Sequence, residues 1–180
     1  MDYYKTWKEI IFEPTKFFSE ITKEKWYREP ILFAAYTEAI YLASLIVLGS
    51  IVLLIMNAPP SYYLAMLGFF PIGLGLFIGL LYLWALVLHL FVLIFKGKEG
   101  FNQTFKVVSY SSAPSVFSGI PLISSAVPIY TIVLQVIGLQ LQQKLTQGKS
   151  IAAVLLPTGI IFFLIFVIAF VIAILIPTTY

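Results

Sequence analysis

Three runs in the sequence leave little choice about the solvent in which this chain folds. Ile31 to Met56, Leu67 to Phe95 and Ile151 to Ile176 are almost wholly aliphatic and aromatic. Together they hold one acid, Glu38, and one histidine, His89. As a helix rising 1.5 Å per residue, the first run reaches roughly 39 Å, more than the ~30 Å of a bilayer's hydrocarbon core. Only 11% of the 180 residues are charged, against about 25% in soluble domains, which is too little polar surface for a water-soluble globule. The chain reads as all-α: a polytopic membrane helix bundle, one domain in size. Cysteine is absent, so disulfides and thiolate metal sites are excluded.

A fourth apolar stretch, Thr104 to Thr146, is broken by Pro114, Gly119, Pro121 and Pro128, with serines between them. Charge placement limits what it can do. All eleven Lys and Arg residues lie before the first run (Lys5, Lys8, Lys16, Lys23, Lys25, Arg28), around Lys96, Lys98 and Lys106, or at Lys144 and Lys149. The positive-inside rule makes those regions cytoplasmic, with the N-terminus inside and the C-terminus outside. Lys106 and Lys144 flank the broken stretch on one side, so it crosses twice or not at all. Two crossings are favoured, although their ~21 and ~27 Å of helix are short for the core; a re-entrant pair of half-helices also fits. The expectation is five transmembrane helices, at about 31–56, 67–95, 106–120, 126–143 and 151–176, the third and fourth short and Pro-broken.

Residues 1–30 read as a cytoplasmic, interfacial amphipathic segment. Tyr4, Trp7 and Ile11 recur at helical spacing among Lys5, Lys8 and Glu9, a pattern that suits a surface helix. Pro14 fits the first turn of a second short helix, whose Phe17, Phe18 and Ile21 share a face opposite Lys16, Glu20 and Lys23. The pair either caps the bundle or lies on lipid. Scattered charges from Asp2 onward argue against a cleaved signal peptide. Trp26, Tyr27, Tyr62 and Tyr63 flank the spans as an interfacial belt. Residues 57–63 read as a turn. Small residues at Ala35/Ala39/Ala43, Gly75/Gly79 and Ala169/Ala173 suit helix association, within the bundle or in a homo-oligomer.

Glu38 and His89 each lie roughly 10–12 Å from the cytoplasmic end of their helices, and Lys106 and Tyr110 belong at similar depth. A carboxylate in lipid costs several kcal/mol, so an intramembrane polar cluster of Glu38, His89, Lys106 and Tyr110 is expected. Such a cluster either pins helix register or handles protons or a ligand; the remaining alternative is that Glu38 is protonated and alone. Enzyme signatures are missing. One histidine without cysteine builds no usual zinc site, and Asp2 is the only aspartate. No serine sits in G-x-S-x-G, and no phosphate-binding Gly-rich loop occurs. No enzyme activity, metal or cofactor is expected, nor any nucleic-acid partner. Gln135, Gln140, Gln142 and Gln143 could line a path, but three of them crowd the cytoplasmic end of their segment, where solvation explains them.

Several pieces of the chain, taken in order, resemble the Yip family of Ypt/Rab-interacting membrane proteins in its short prokaryotic form. They are Glu13-Pro-Thr-Lys-Phe-Phe18, Gly100-Phe-Asn-Gln-Thr-Phe105, Tyr110-Ser-Ser-Ala-Pro114, Ile120-Pro121 and Ile137-Gly-Leu-Gln140. The positions that carry the likeness are Pro14, Phe17, Phe18, Tyr110, Pro114, Pro121 and Gly138. The resemblance implies a five-span Yip domain over 31–180 with a cytoplasmic N-terminus, in the plasma membrane of a prokaryote. Eukaryotic members are linked to small GTPases and vesicle traffic, and associate with one another. Their Asp-Leu-Tyr-Gly-Pro motif is replaced here by Glu13-Pro14-Thr15-Lys16, which leaves the GTPase partner without its usual signature. The implied role is a non-enzymatic one, organising or shaping membrane or recruiting a cytoplasmic protein. The alternative is a small proton-coupled transporter or channel using Glu38 and His89.

Overall fold

The computed structural model describes residues 2–21 and 28–175. Lys23, Lys25, Trp26, Tyr27 and the residues after Leu175 lie outside them, and with them part of the expected aromatic belt. The described residues form helices without any strand.

Three helices have membrane length: α3 (Arg28–Ile55), α4 (Pro60–Ile94) and α8 (Gln147–Leu175). Each is long and apolar enough to cross a bilayer. All three begin earlier than the hydropathy suggests, α8 at Gln147 and not at Ile151. α3 takes in Pro30 as part of its first turn, where a missing N–H is no loss. α4 starts at Pro60, so Tyr62 and Tyr63 sit in its first turn and not in a loop. The reversal between α3 and α4 needs only residues 56–59. Asn57 supplies it with a left-handed φ of 52°, while Ala58 N–H donates to Leu53 O at 2.9 Å and Asn57 N–H to Leu54 O at 3.1 Å. That bond pair is the Schellman ending, and Asn tolerates its left-handed position better than most residues. α3 and α4 then run antiparallel: Gly73 packs under Leu42, and a Cβ on Gly49 would lie 2.8 Å from Met66 Sδ.

The expected third span, 106–120, is not one helix. α5 starts earlier, at Phe101, and stops at Tyr110; a 3-10 turn (Ala113–Phe117) and a four-residue α6 (Pro121–Ser124) follow. Pro114 and Pro121 explain the breaks, since neither can donate to the preceding turn and both disfavour helix in the residue before them. α7 (Ala126–Gln142) returns along α5, close to the expected fourth span. Its 17 residues give ~26 Å. The tip of this hairpin reaches Ser44 of α3, against which Gly119 packs. From Ser44 to Ile55, about 17 Å of α3 continues beyond it.

α1 (Tyr3–Phe12) and α2 (Pro14–Glu20) dock on the bundle. Asp2 caps α1, its carboxylate accepting from Lys5 N–H at 3.2 Å. The packed face of α1 is rotated from the expected stripe. Ile10 is fully buried and Tyr3 and Trp7 are half-buried, whereas Tyr4 is 69% exposed. α2 presents Phe18 to the core with Phe17 and Ile21 beside it, as its sequence suggests.

Burial is one-sided along the long helices. The buried residues of α3 all lie between Pro30 and Glu38, those of α4 between Leu81 and Val92, and those of α8 between Ser150 and Pro157. These are the ends next to the basic loops. The opposite halves present apolar side chains outward and bury none, as suits helices solvated by lipid.

Candidate functional site

The hairpin starts from a polar junction at the basic end. α4 ends in a second Schellman motif: Gly97 N–H donates to Val92 O at 2.8 Å and Lys96 N–H to Leu93 O at 3.0 Å, with Lys96 at φ 64°. Gly97 is required by contact, since a Cβ there would lie 2.3 Å from Val92 Cγ1 and 3.0 Å from Gln143 Oε1.

Gln143, fully buried at the end of α7, ties this loop down. Its Nε2 donates to Gly100 O at 3.2 Å and to Thr104 Oγ1 at 3.0 Å. Its Oε1 accepts from Glu99 N–H at 3.1 Å, and its main-chain oxygen from Lys98 N–H at 3.2 Å. One amide thus holds both ends of the hairpin and the loop before it. Outside this staple, Lys144 Nζ lies 2.8 Å from Glu99 Oε1 at a partly exposed position.

His89 joins the same network, with Nδ1 2.9 Å from Thr104 Oγ1. The Thr104 oxygen also accepts from Gln143, so this one hydroxyl bridges the imidazole and the amide. The ring also packs edge-on against Phe101, centroids 5.6 Å apart. Thr104 and Gln143 are the partners that sequence reasoning missed. Gln143 and Gln142 are buried at 0% and 9% exposure, against the expectation that solvent accounts for them; Gln140 alone of the three is exposed.

Tyr110 lies elsewhere, in an aromatic knot. Its ring is 5.0 Å from Phe17 and 5.2 Å from Phe33, and Phe33 is 5.2 Å from Tyr3. Tyr3 donates its hydroxyl to Thr37 Oγ1 at 3.1 Å, because Thr37 has given its own proton to Phe33 O at 2.9 Å. Burial pushes the Tyr3 phenol above its usual range, an effect the Thr37 bond only partly offsets. Glu38, next to Thr37, is 8% exposed, and Lys106 is 3% exposed on α5. Of the four residues expected together, His89 and Tyr110 therefore keep different company. His89 belongs to the Gln143 staple and Tyr110 to the aromatic knot, and no hydrogen bond among the described residues joins Glu38, His89 and Tyr110.

The docked helices close the same region. Trp7 Nε1 donates to Ala113 O at 2.9 Å, Tyr130 Oη to Ile11 O at 2.6 Å, and Gln142 Nε2 to Phe18 O. Gly138 allows α2, α5 and α7 to meet: a Cβ would lie 2.6 Å from Val107 Cγ1 and 3.1 Å from Phe18 Cε1. Phe17, Phe18, Tyr110 and Gly138 thus come to one place. Pro14 opens α2, Pro121 opens α6, and Pro114 is buried in the 3-10 turn.

Around α5 the core is polar for a membrane protein. Every residue from Gln103 to Tyr110 is buried, and Gln103 Oε1, Ser109 Oγ and Ser111 Oγ have no hydrogen-bond partner among the described residues. No group of three His, Cys, Asp or Glu side chains that could hold a metal occurs among the described residues. What the arrangement does is clamp a broken hairpin, two docked helices and three long helices together at one end.

Comparison with curated proteins and with solved structures found no match. Comparison with protein families matches residues 8–170 to the Yip1 domain, a span that takes in the docked helices, the hairpin and all three long helices. An all-helical membrane protein with that match over most of its length belongs to the Yip1-domain family.

Proposed function

We propose that this protein organises and shapes the bilayer from its cytoplasmic side, without catalysing a reaction. The observation that carries the reading is the one-sided burial. At the basic end the bundle comprises α1, α2, the hairpin and the inner parts of α3, α4 and α8. At the other end, among the described residues, only the three long helices continue. A body of that outline takes up more area in one leaflet than in the other, and a bilayer relieves the mismatch by bending toward the wider side.

The placement in the membrane follows from the aromatic residues and the charges. Tyr63 and Trp84 stand 21 positions apart on α4, ~32 Å of helix, close to the ~30 Å of a hydrocarbon core. The contact of Leu42 with Gly73 brings Ser44, and the hairpin tip with it, near the level of Pro71. That is about 12 Å short of Tyr63. The hairpin is re-entrant on this reading: it enters from the cytoplasmic side and returns, and its non-helical backbone is shielded by α3 and α4. Three full spans then put the N-terminus inside and the C-terminus outside, in agreement with the lysines and arginines.

A proton path through Glu38 and His89 draws less support, since His89 is spent on Thr104. The test is reconstitution of the full chain into phosphatidylcholine/phosphatidylglycerol vesicles from which thin membrane tubes are drawn. Enrichment on the tubes over the flat membrane is expected, whereas equal density on both overturns the reading. Proton flux that Glu38→Gln abolishes would favour the transporter instead.

A further inference from the structure

Three hydrogen bonds fix how α1 lies on the bundle. Tyr3 Oη donates to Thr37 Oγ1 of α3 at 3.1 Å, and Trp7 Nε1 to Ala113 O of the 3-10 turn at 2.9 Å. Ile11 O accepts from Tyr130 Oη of α7 at 2.6 Å. The anchors on α1 are one turn apart, and each reaches a different element. A helix parallel to the spans would stay on one of them, so α1 crosses them sideways. Spanning helices stand along the membrane normal, and a helix laid across them lies in the membrane plane.

Its level is that of the cytoplasmic headgroups. Ser115 and Thr131, beside the anchors Ala113 and Tyr130, line one cavity with Trp84, which the placement above puts at the cytoplasmic interface. Trp7 reaches the same level, its ring 5.7 Å from that of Phe117.

The face of α1 turned away from the bundle is then turned toward lipid. Tyr4, Lys5, Lys8 and Phe12 share that side of the helix. Tyr4 and Phe12 are each 69% exposed, and both lysines are exposed. Neither lysine side chain has a hydrogen bond or ion pair among the described residues, whereas Lys16 is held by Glu13 and Lys144 by Glu99. The face carries no acid. Glu9 and Glu13 line a cleft between α1 and α2 with Lys16 and Glu20, and Asp2 caps the helix. Two free ammonium groups framed by two exposed aromatic rings match a bilayer surface of negative headgroups, where rings lie at the glycerol level and lysines reach the phosphates.

We propose that this face of α1 binds anionic phospholipid, with the Lys5 and Lys8 ammonium groups on the headgroup phosphate and Tyr4 and Phe12 beside the glycerol and upper chains. The inference rests on the level given to Trp84 in the proposed placement, and a bilayer that does not bend would leave it standing.

The test is lipid binding by the full chain, purified in nonionic detergent and depleted of lipid, read by mass spectrometry of the intact complex. Dioleoylphosphatidylglycerol should bind roughly tenfold more tightly than dioleoylphosphatidylcholine, the order expected of two lysines at an anionic surface. Lys5→Gln/Lys8→Gln should bring that ratio near one with thermal unfolding unchanged, and Lys5→Arg/Lys8→Arg should keep it. Lys96→Gln/Lys98→Gln removes the same charge about 18 Å beyond Trp84 along α4 and its following loop, more than a Debye length away, and should leave the ratio as it was. A wild-type ratio near one overturns the proposal and leaves the face to an acidic protein partner. So does a ratio that survives Lys5→Gln/Lys8→Gln, or an equal loss in both glutamine variants.

Discussion

Gly119 at the hairpin tip and Ser44 in α3 meet so closely that a Cβ on the glycine would lie 2.2 Å from Ser44 Oγ and 3.0 Å from Ser44 Cβ. Ser44 cannot simply turn away, since its hydroxyl donates to Tyr41 O at 2.6 Å. This contact sets how far the hairpin penetrates. Gly119→Ala should destabilise the protein by ~1–3 kcal/mol, the usual cost of overpacking. Ser44→Ala alone should stay near neutral. The double variant should recover most of the loss but not all, because the Cβ–Cβ approach persists. Unfolding of the single and double variants in detergent measures the coupling; simple additivity would mean that the two residues do not set the depth.

The depth itself is open to labelling. The native chain has no cysteine, so Ser61→Cys and Ser124→Cys each give a single reporter. Ser61 sits in the first turn of α4, and Ser124 ends α6 at the hairpin tip. A membrane-impermeant maleimide added outside should modify Ser61→Cys and leave Ser124→Cys untouched until detergent is added. Rapid modification of both from outside would restore the two crossings and five spans that charge parity also allows.

Much of this fold is legible in the sequence, and the illegible part has a physical cause. The three long helices announce themselves because a membrane span is set by length and apolarity, both local properties. α7 is placed within a residue of its observed end for the same reason. α5 is different: proline positions mark where the region breaks, but not that the ten residues before Ser111 would form a buried helix with Lys106 and Gln103 inside. That depends on neighbours distant in the chain. The N-terminal stripe shows the same limit, because Tyr3, Trp7 and Ile10 fit the packed face as well as Tyr4, Trp7 and Ile11 fit a lipid-facing one. Equal depth does not imply a shared face, and His89 and Tyr110 make their polar and ring contacts with different neighbours. Glu38 and His89 sit on different helices at comparable depth, yet His89 turns to Thr104 and Gln143.

Gln143 offers the sharpest contrast between the two ways of reading a residue. As a solvated glutamine at a helix end, it would tolerate substitution within about 0.5 kcal/mol. As the buried amide that holds Gly100 O, Thr104 Oγ1 and Glu99 N–H, it cannot. Gln143→Leu leaves Glu99 N–H without a partner, at roughly 1–3 kcal/mol if water cannot replace it, and takes one bond each from Gly100 O, which keeps Gln103 N–H, and from Thr104 Oγ1, which keeps His89; a total of about 2–3 kcal/mol is expected. Gln143→Glu keeps the shape and the acceptor but loses both donors, so it should be no milder. Gln143→Leu should speed hydrogen exchange at the amide of Glu99, which loses its acceptor, while the Schellman amide of Gly97, bonded within α4, stays protected. Unchanged exchange at Glu99 in Gln143→Leu would mean that the loop is held by something other than this side chain.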